Sequence, residues 1–394
     1  MNASPDMVYL DHAATTPPDP AVVDAMHRSL SGESGFGNPA STHVAGRRAR
    51  AAVEQARARL AALLHTDPGN LVWTSGATEA DNLAILGAAR LRAHRGRHLI
   101  TMRTEHKAVA DACAALERQG FEVTWLAPER HGRLDLTALE QAFRDDTQLV
   151  SIMHVNNETG VIQDLRAIGE RCRDRNVLFH CDAAQSVGKL PVDLSALPVD
   201  LLSMTAHKFH GPQGIGALYL APRPECRIEP LLYGGGQERR LRPGTLPVHQ
   251  AVGMGVAAEL AAARLEEDLR HYARLNERLW RGLESIEGVV RNGGREHAFP
   301  GILNVSIAGI EGESLLLALE PVCVARGSAC NAQSGEPSHV LRALGRSDHL
   351  AQSAIRFSFG RETTEAEVDF ACRRYAQAVA HLRTIMPATA VQAA

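Results

Sequence analysis

Two charged residues stand out because of where they fall in the chain. Asp182 follows the apolar run Val177–Cys181, and Lys208 follows the run Leu201–Met204 after Thr205-Ala206-His207. A carboxylate at the end of a buried strand is expensive without a partner, so Asp182 needs a cation. A structural Arg or Lys would serve, and so would a protonated ring nitrogen. Lys208 runs into Phe209-His210-Gly211-Pro212-Gln213-Gly214. An amine on a tight turn beside a Gly-rich stretch can lose its solvation and become a nucleophile able to form a Schiff base. Most lysines are surface groups, so Lys208 taken alone decides nothing.

Further polar groups follow the preceding apolar runs. After Asn70–Thr74 comes Ser75-Gly76-Ala77-Thr78-Glu79, whose free backbone N–H groups suit a phosphate, unless Thr78 only caps the helix that begins there. After His98–Met102 comes Thr104-Glu105-His106, and after the run ending at His154 comes Val155-Asn156-Asn157-Glu158-Thr159-Gly160. Taken alone, each is more often a surface imidazole or an ordinary loop than a ligand site. Their order is what matters: phosphate turn, imidazole, amide, carboxylate and lysine, each after a successive strand. Ligands of open parallel sheets bind outside the carboxyl ends of the strands. Pyridoxal phosphate carries a phosphate, a ring nitrogen and an aldehyde, and so matches that order.

The elements that must position these groups form a regular pattern. Short runs rich in β-branched residues, Asn70–Thr74, His98–Met102, Glu122–Leu126, Leu149–His154, Val177–Cys181, Leu201–Met204 and Ile215–Leu220, alternate with helical stretches such as Glu79–Arg92 and Val109–Gln119. That alternation predicts an α/β fold around a mostly parallel sheet. A long helix is expected from about Ala251 to Leu283. A smaller α/β lobe should follow, with strands Leu303–Ile307 and Ala354–Phe359 and helices near Ser314–Ala318 and Glu365–Arg383.

At 394 residues the chain exceeds what a single core usually supports, which predicts two domains. A composition of 45% apolar and 22% charged residues with a formal charge of −3 fits a folded soluble protein, and favours neither a nucleic-acid nor a membrane partner. The polar start before Val8-Tyr9-Leu10 does not resemble a signal peptide. Seven scattered cysteines fit a reducing compartment better than a disulfide framework or a zinc site, so a cytoplasmic location is expected and no metal.

The motifs together resemble the cysteine desulfurases of the IscS/NifS type, in the class V aminotransferase group of fold-type-I pyridoxal enzymes. The resemblance covers nearly the whole chain. It is carried by Tyr9-Leu10-Asp11-His12-Ala13-Ala14-Thr15-Thr16, Phe36-Gly37-Asn38-Pro39-Ala40-Ser41, Thr74-Ser75-Gly76-Ala77-Thr78-Glu79, Thr104-Glu105-His106-Lys107, His154-Val155-Asn156-Asn157-Glu158, Gly244-Thr245-Leu246-Pro247 and Arg326-Gly327-Ser328-Ala329-Cys330.

The resemblance implies a large domain over 18–260, built on a mostly parallel seven-stranded sheet. It also implies a small α/β domain from 1–17 with 261–394. Lys208 would hold pyridoxal 5'-phosphate covalently, Asp182 would pair with its ring nitrogen, Gln185 would bond the ring hydroxyl, and His106 would stack on the ring. Ala77, Thr78, Thr205 and His207 would take the phosphate, with Thr245 entering from the second subunit of a homodimer. Asn157 would touch ring and substrate, while Asn38 and Arg356 would grip the carboxylate of L-cysteine. Cys330 would accept the sulfur as a persulfide and release alanine. The sulfur would pass to an acceptor such as an iron–sulfur scaffold, or toward tRNA thiolation. The small polar residues Gly327 to Gly335 independently predict a loop able to swing. A structural role is expected for Cys113, Cys172, Cys181, Cys323 and Cys372.

The implied chemistry has Lys208 move the substrate α-proton and His106 exchange a proton with the thiol or the departing product. Rival readings are a selenocysteine lyase, another class V aminotransferase, or a sulfur-relay protein that keeps the fold without the chemistry. The chain departs from the family pattern at Ala325-Arg326, where two serines are usual, at Pro243, where Ser is common, and in the short tail after Met386.

Overall fold

The computed structural model describes residues 6–31, 36–327 and 336–385. Its centre is a sheet of β2 (Leu71–Thr74), β3 (His98–Met102), β4 (Glu122–Leu126), β5 (Thr147–Ser151), β6 (Leu178–Asp182), β7 (Leu201–Thr205) and β8 (Gly216–Leu220), in the order β2-β8-β7-β6-β5-β3-β4. β8 runs antiparallel to both its neighbours, while the pairs from β4 to β7 are parallel. The expected mostly parallel seven-stranded sheet is therefore present. Apart from the edge strand β4, every strand of this sheet is buried along its length. That burial explains why these segments read as near-continuous apolar runs and not as alternating ones.

Strand ends differ slightly from expectation. β6 and β7 extend one residue further, so Asp182 and Thr205 are themselves the last strand positions. β5 stops at Ser151 instead of His154, although the amides of Ile152 and His154 still donate to the carbonyls of His180 and Asp182. The turn into β8 brings two backbones together. A Cβ on Gly216 would lie 2.4 Å from the Met204 carbonyl oxygen and 2.7 Å from the Gly76 Cα, which is why glycine stands there.

Helices cover both faces: α1 (Pro20–Leu30), α2 (Val44–Leu63), α3 (Ala77–Leu91), α4 (Lys107–Glu117), α5 (Leu136–Ala142) and α6 (Leu165–Asp174). Asp19, Asp135 and Asp164 cap three of them, each side chain accepting from a first-turn amide. α7 (Val248–Leu283) begins directly after Pro247 and is about 54 Å long. Its first half packs on α1 and α2, and its second half on α11 (Glu365–Ile385).

Two separate apolar cores follow from this. One spans Val22 to Ala261 around the large sheet. The other gathers Tyr272, Leu275, Leu279 and Leu283 of α7 with the antiparallel strands β9 (Val289–Arg291), β10 (Ile302–Ile307) and β12 (Ile355–Ser358), together with α11. The amino-terminal β1 (Val8–Tyr9) pairs in parallel with β11 (Val322–Cys323), so Val8 and Leu10 belong to this second core. Between α7's two apolar stretches lies the charged sequence Arg264 to Arg270, in which Asp268 is buried against Arg361 and Leu269 packs on the second core. The short helices α8 (Gly312–Ala318), α9 (His339–Ala343) and α10 (Asp348–Gln352) complete the fold.

Candidate active site

A cavity of about 620 Å³ opens at the carboxyl ends of β2, β5, β6 and β7, walled by the turn Ala13-Ala14-Thr15 and by Arg356 from β12. It brings together Ala77, Thr78, His106, Asn157, Asp182, Gln185, Thr205, His207, Lys208 and Arg356, all expected from the sequence. Thr205 is the last residue of β7, and His207 lies two residues beyond it. The His207 Nδ1 lies 3.1 Å from the Thr15 hydroxyl, and the Thr205 hydroxyl donates to the Ile215 carbonyl at 3.2 Å.

At one end, α3 starts at Gly76 with no side-chain cap, leaving the amides of its first turn facing the cavity with a helix dipole behind them. Thr78 is therefore not the capping residue. Glu79 instead accepts from the Ser75 amide at 2.8 Å and from Arg242, which holds the turn from outside.

Asp182 lies on the cavity floor, 5% exposed. Its Oδ1 accepts from the Ala184 amide at 2.9 Å, and among the described residues it forms no ion pair. Burial raises its pKa, against the pull of His106, the Ala184 hydrogen bond and Lys208. Lys208 reaches in from the turn after β7, and its Nζ donates to the carbonyls of Ala13 at 2.5 Å and Ala14 at 2.7 Å.

His106 is the N-cap of α4, and its Nδ1 accepts from the Ala108 amide at 3.2 Å. That bond leaves Nε2 to carry the proton of the neutral ring. Burial holds its pKa below the ordinary histidine value, with Lys208 and His339 adding to that and Asp182 opposing it. The ring is thus predominantly neutral near pH 7.

Arg356 is 1% exposed. Its two terminal nitrogens hold Asp11 Oδ1 at 2.7 Å and the Asn157 carbonyl at 2.9 Å. Its Nε is buried without a hydrogen-bond partner. A fixed guanidinium with a spare donor suits a carboxylate.

Two expected site residues lie elsewhere, and a third falls outside the described residues. Asn38 is not brought to this cavity. Its side chain accepts from the Ala40 amide at 2.9 Å, beside a second cavity of about 390 Å³ shared with Arg50, Gln237 and Leu246. Thr245 does not line the first cavity either. Asn38 borders this second cavity, and Thr245 belongs to the segment 236–246 whose Gly236, Gln237 and Leu246 line it. Cys330 lies outside the described residues. Arg326, before it, places its Nε close to Gly312, and its charge helps hold the Glu311 carboxyl below its ordinary value, after the amides and hydroxyl of α8's first turn. This favours an anchor at the loop base over a role in activating a thiol.

Of the six described cysteines, Cys113, Cys172, Cys181 and Cys226 are buried, and Cys323 and Cys372 partly so. Burial pushes all six thiols upward, Cys372 to about 11, which keeps them protonated and unreactive.

Sequence reasoning missed Asp81, Gln213 and the carbonyls of Ala13 and Ala14. Asp81 had a visible signal, being an aspartate on the buried face of an apolar helix beside Ala80, Leu83 and Ala84. It lies 3.5 Å from His180 Nε2, and burial first, then Asp182, raise its pKa well above the ordinary range.

The geometry can be set beside known proteins. The family model for aminotransferase class V matches residues 8–370. Cysteine desulfurase IscS of Escherichia coli is 54% identical over 381 residues, covering 96% of this chain and 94% of the relative, and IscS of Shigella boydii matches equally. Among solved structures, a NifS-like protein superposes with a TM-score of 0.89 at 36% identity, covering 95% of this chain and all of that one. SspA in complex with cysteine gives 0.80 at 38%, covering 89% and 98%. With the motif set, the cavity and a family model spanning nearly the whole length in agreement, the chain belongs to the class V aminotransferase family, alongside the cysteine desulfurases.

Proposed function

We propose that this chain is a pyridoxal-phosphate-dependent cysteine desulfurase that transfers the sulfur of L-cysteine to Cys330 and releases alanine. The observation that carries this reading is one cavity enclosing a lysine amine, a buried carboxylate with no ion pair among the described residues, and an uncapped helix N-terminus. These three features fit pyridoxal phosphate. The open first turn of α3 with Thr205 and His207 suits its phosphate, Asp182 suits a protonated ring nitrogen, and Lys208 suits its aldehyde. When bound, the cofactor supplies an electrophilic carbonyl and a cationic ring that acidifies the substrate α-carbon.

The protein's own groups have separate tasks. Asp182, desolvated, keeps a positive partner positive. Arg356 and Asn157 orient the substrate carboxylate, which fixes where the α-hydrogen points. Lys208 Nζ takes the α-proton, and His106 exchanges a proton with the substrate thiol or the departing product. Cys330 attacks the substrate sulfur as a thiolate, forming a persulfide as the carbon–sulfur bond breaks. Asn38 and Thr245, both placed beside 236–246, serve the cavity of a second copy, which makes the working unit a homodimer. The two apolar cores support domains at 18–260 and at 1–17 with 261–394. Among the described residues no helix is long and apolar enough to cross a membrane; the cytoplasmic setting is proposed on the scattered cysteines. The sulfur then passes to an acceptor protein, an iron–sulfur scaffold or a tRNA-thiolation carrier.

The test combines colour and product. The purified protein should be yellow, change absorbance with cysteine, and release alanine from cysteine faster than from selenocysteine. C330S should lose protein-bound persulfide while staying yellow, and H106A should stay yellow but turn over slowly. A protein colourless after reconstitution, or persulfide persisting in C330S, sinks this reading.

A further inference from the structure

Lys189 lies one helical turn beyond Gln185 on the segment that leaves β6, and it is 9% exposed. None of the chemistry above uses it. Its surroundings are cationic or neutral: Lys208, Arg356, His12, His207 and His210 are within electrostatic reach, and the Phe299 ring centre lies 5.8 Å from Nζ. Burial first, then Lys208 and Arg356, push its pKa well below the lysine range. A costly buried amine in such company acts as a hydrogen-bond donor and not as a counter-ion.

Its acceptor is Gln185 Oε1, at 2.8 Å. The other end of that carboxamide is fixed too, because Nε2 donates to the Ala13 carbonyl at 2.8 Å, and Lys208 Nζ donates to the same carbonyl at 2.5 Å. A carbonyl only accepts, so Nε2 and not Oε1 must face Ala13. An amide nitrogen has two hydrogens, and the second remains for the cavity that Gln185 lines. Both lysines thus meet one short chain of hydrogen bonds, Lys189 through Gln185 and Lys208 directly.

We propose that Lys189 is a positioning residue: by donating to Gln185 Oε1 it holds the carboxamide so that the second Nε2 hydrogen serves the oxygen of the bound pyridoxal ring. The inference rests on the cofactor reading above. Without Lys189, Oε1 becomes a buried acceptor with no partner, and the side chain turns to satisfy it, carrying Nε2 away. A donor aimed at an oxyanion lowers that oxygen's proton affinity, so its loss raises the pH at which the cofactor's visible band titrates.

The test uses cofactor-loaded protein, with pH titration of the visible absorbance and the dissociation constant of pyridoxal phosphate as readouts. K189M should titrate about half to one pH unit higher and hold the cofactor roughly three- to tenfold more weakly. The double variant K189M/Q185M should shift no further than Q185M alone, because Lys189 acts through Gln185. A K189M protein that titrates like wild type, or shifts that add in the double variant, overturns the inference. Should K189M fail to fold, K189L, which keeps an apolar stem but has no donor, should give the same shift, and an unmoved midpoint overturns the inference equally. A wild-type protein that takes up no pyridoxal phosphate removes the cofactor reading and this inference with it. A yellow wild type with an unmoved K189M removes this inference alone.

Discussion

The wall of the cavity and the segment that passes outside it are both loops, yet they are built in opposite ways. The wall consists of residues at strand ends: Asp182 and Thr205 are the last positions of β6 and β7, and Lys208 is one short turn further on. None of its non-glycine residues has positive φ, and its side chains carry the unusual energies, above all a carboxylate whose pKa burial raises. The outer segment reverses this. Glu238, Arg239 and Arg240 are three successive non-glycine residues with positive φ, at 45°, 58° and 67°. L-residues take that conformation only under constraint.

The constraint is visible. Glu238 forms a bidentate pair with Arg57, both contacts at 2.8 Å, and also accepts from the Trp73 amide at 2.7 Å. The two side chains are only 4% and 8% exposed, and the Arg57 guanidinium lies 5.3 Å from the Trp73 ring centre. Arg239 donates to the Gly69 carbonyl, and Arg242 to Glu79 at the start of α3. In the wall an unbalanced charge is kept available for chemistry. In the outer segment balanced charges are consumed in holding an unfavourable backbone. The difference implies that substitutions in the two regions fail in different ways.

The largest effect belongs to the wall. D182N keeps the acceptor for the Ala184 amide but removes the charge, so alanine formation should fall roughly 10²- to 10³-fold, about 3–4 kcal/mol in the barrier. The cofactor-free protein should not lose thermal stability, because a desolvated carboxylate is replaced by a neutral group. A melting temperature that drops with activity intact would abolish the contrast between the two regions.

E238Q is the mirror case. It leaves the Arg57 guanidinium buried with only the partly exposed Glu54 as its carboxylate partner, and it weakens the hold on the left-handed turn. Urea unfolding should show a loss of about 3 kcal/mol, while the turnover of the fraction that remains folded changes little. An unchanged unfolding midpoint would mean that the pair does not hold the turn.

The contrast also explains what was legible before any coordinates. Wall residues at the ends of apolar runs were legible because a buried parallel strand ends where its apolar run ends, give or take one residue, so Asp182, Lys208 and His106 could be placed from the sequence, whereas Arg356, inside the antiparallel β12, came only from the resemblance. The outer segment has no such signal. Gly234, Gly235 and Gly236 announce a turn, and Gly234 and Gly235 do take positive φ, but nothing in Glu238-Arg239-Arg240 says that these non-glycine residues take it too. Lys189 and Asp81 escaped for another reason: each is a charged residue inside an otherwise apolar stretch, and its burial depends on partners that come from distant parts of the chain. The short pair β1 with β11 was equally invisible, because its pairing joins the two ends of the sequence.

The smallest effect sharpens the comparison most. If the outer segment delivers Thr245 to the cavity of a second copy, T245V should weaken cofactor binding by roughly fivefold, the worth of one hydrogen bond, with no change in the melting temperature of the cofactor-free protein. Mixed dimers of K208A and T245V decide which chain supplies the threonine. With Thr245 acting across subunits, the cavity containing Lys208 faces an intact Thr245 from the K208A chain, so one site per dimer recovers wild-type affinity. With Thr245 acting within its own chain, the only lysine-bearing site always carries Val at 245, and the fivefold deficit persists at every mixing ratio. Absorbance titration of the mixture with pyridoxal phosphate separates the two outcomes, because only the lysine-bearing site gives the visible band.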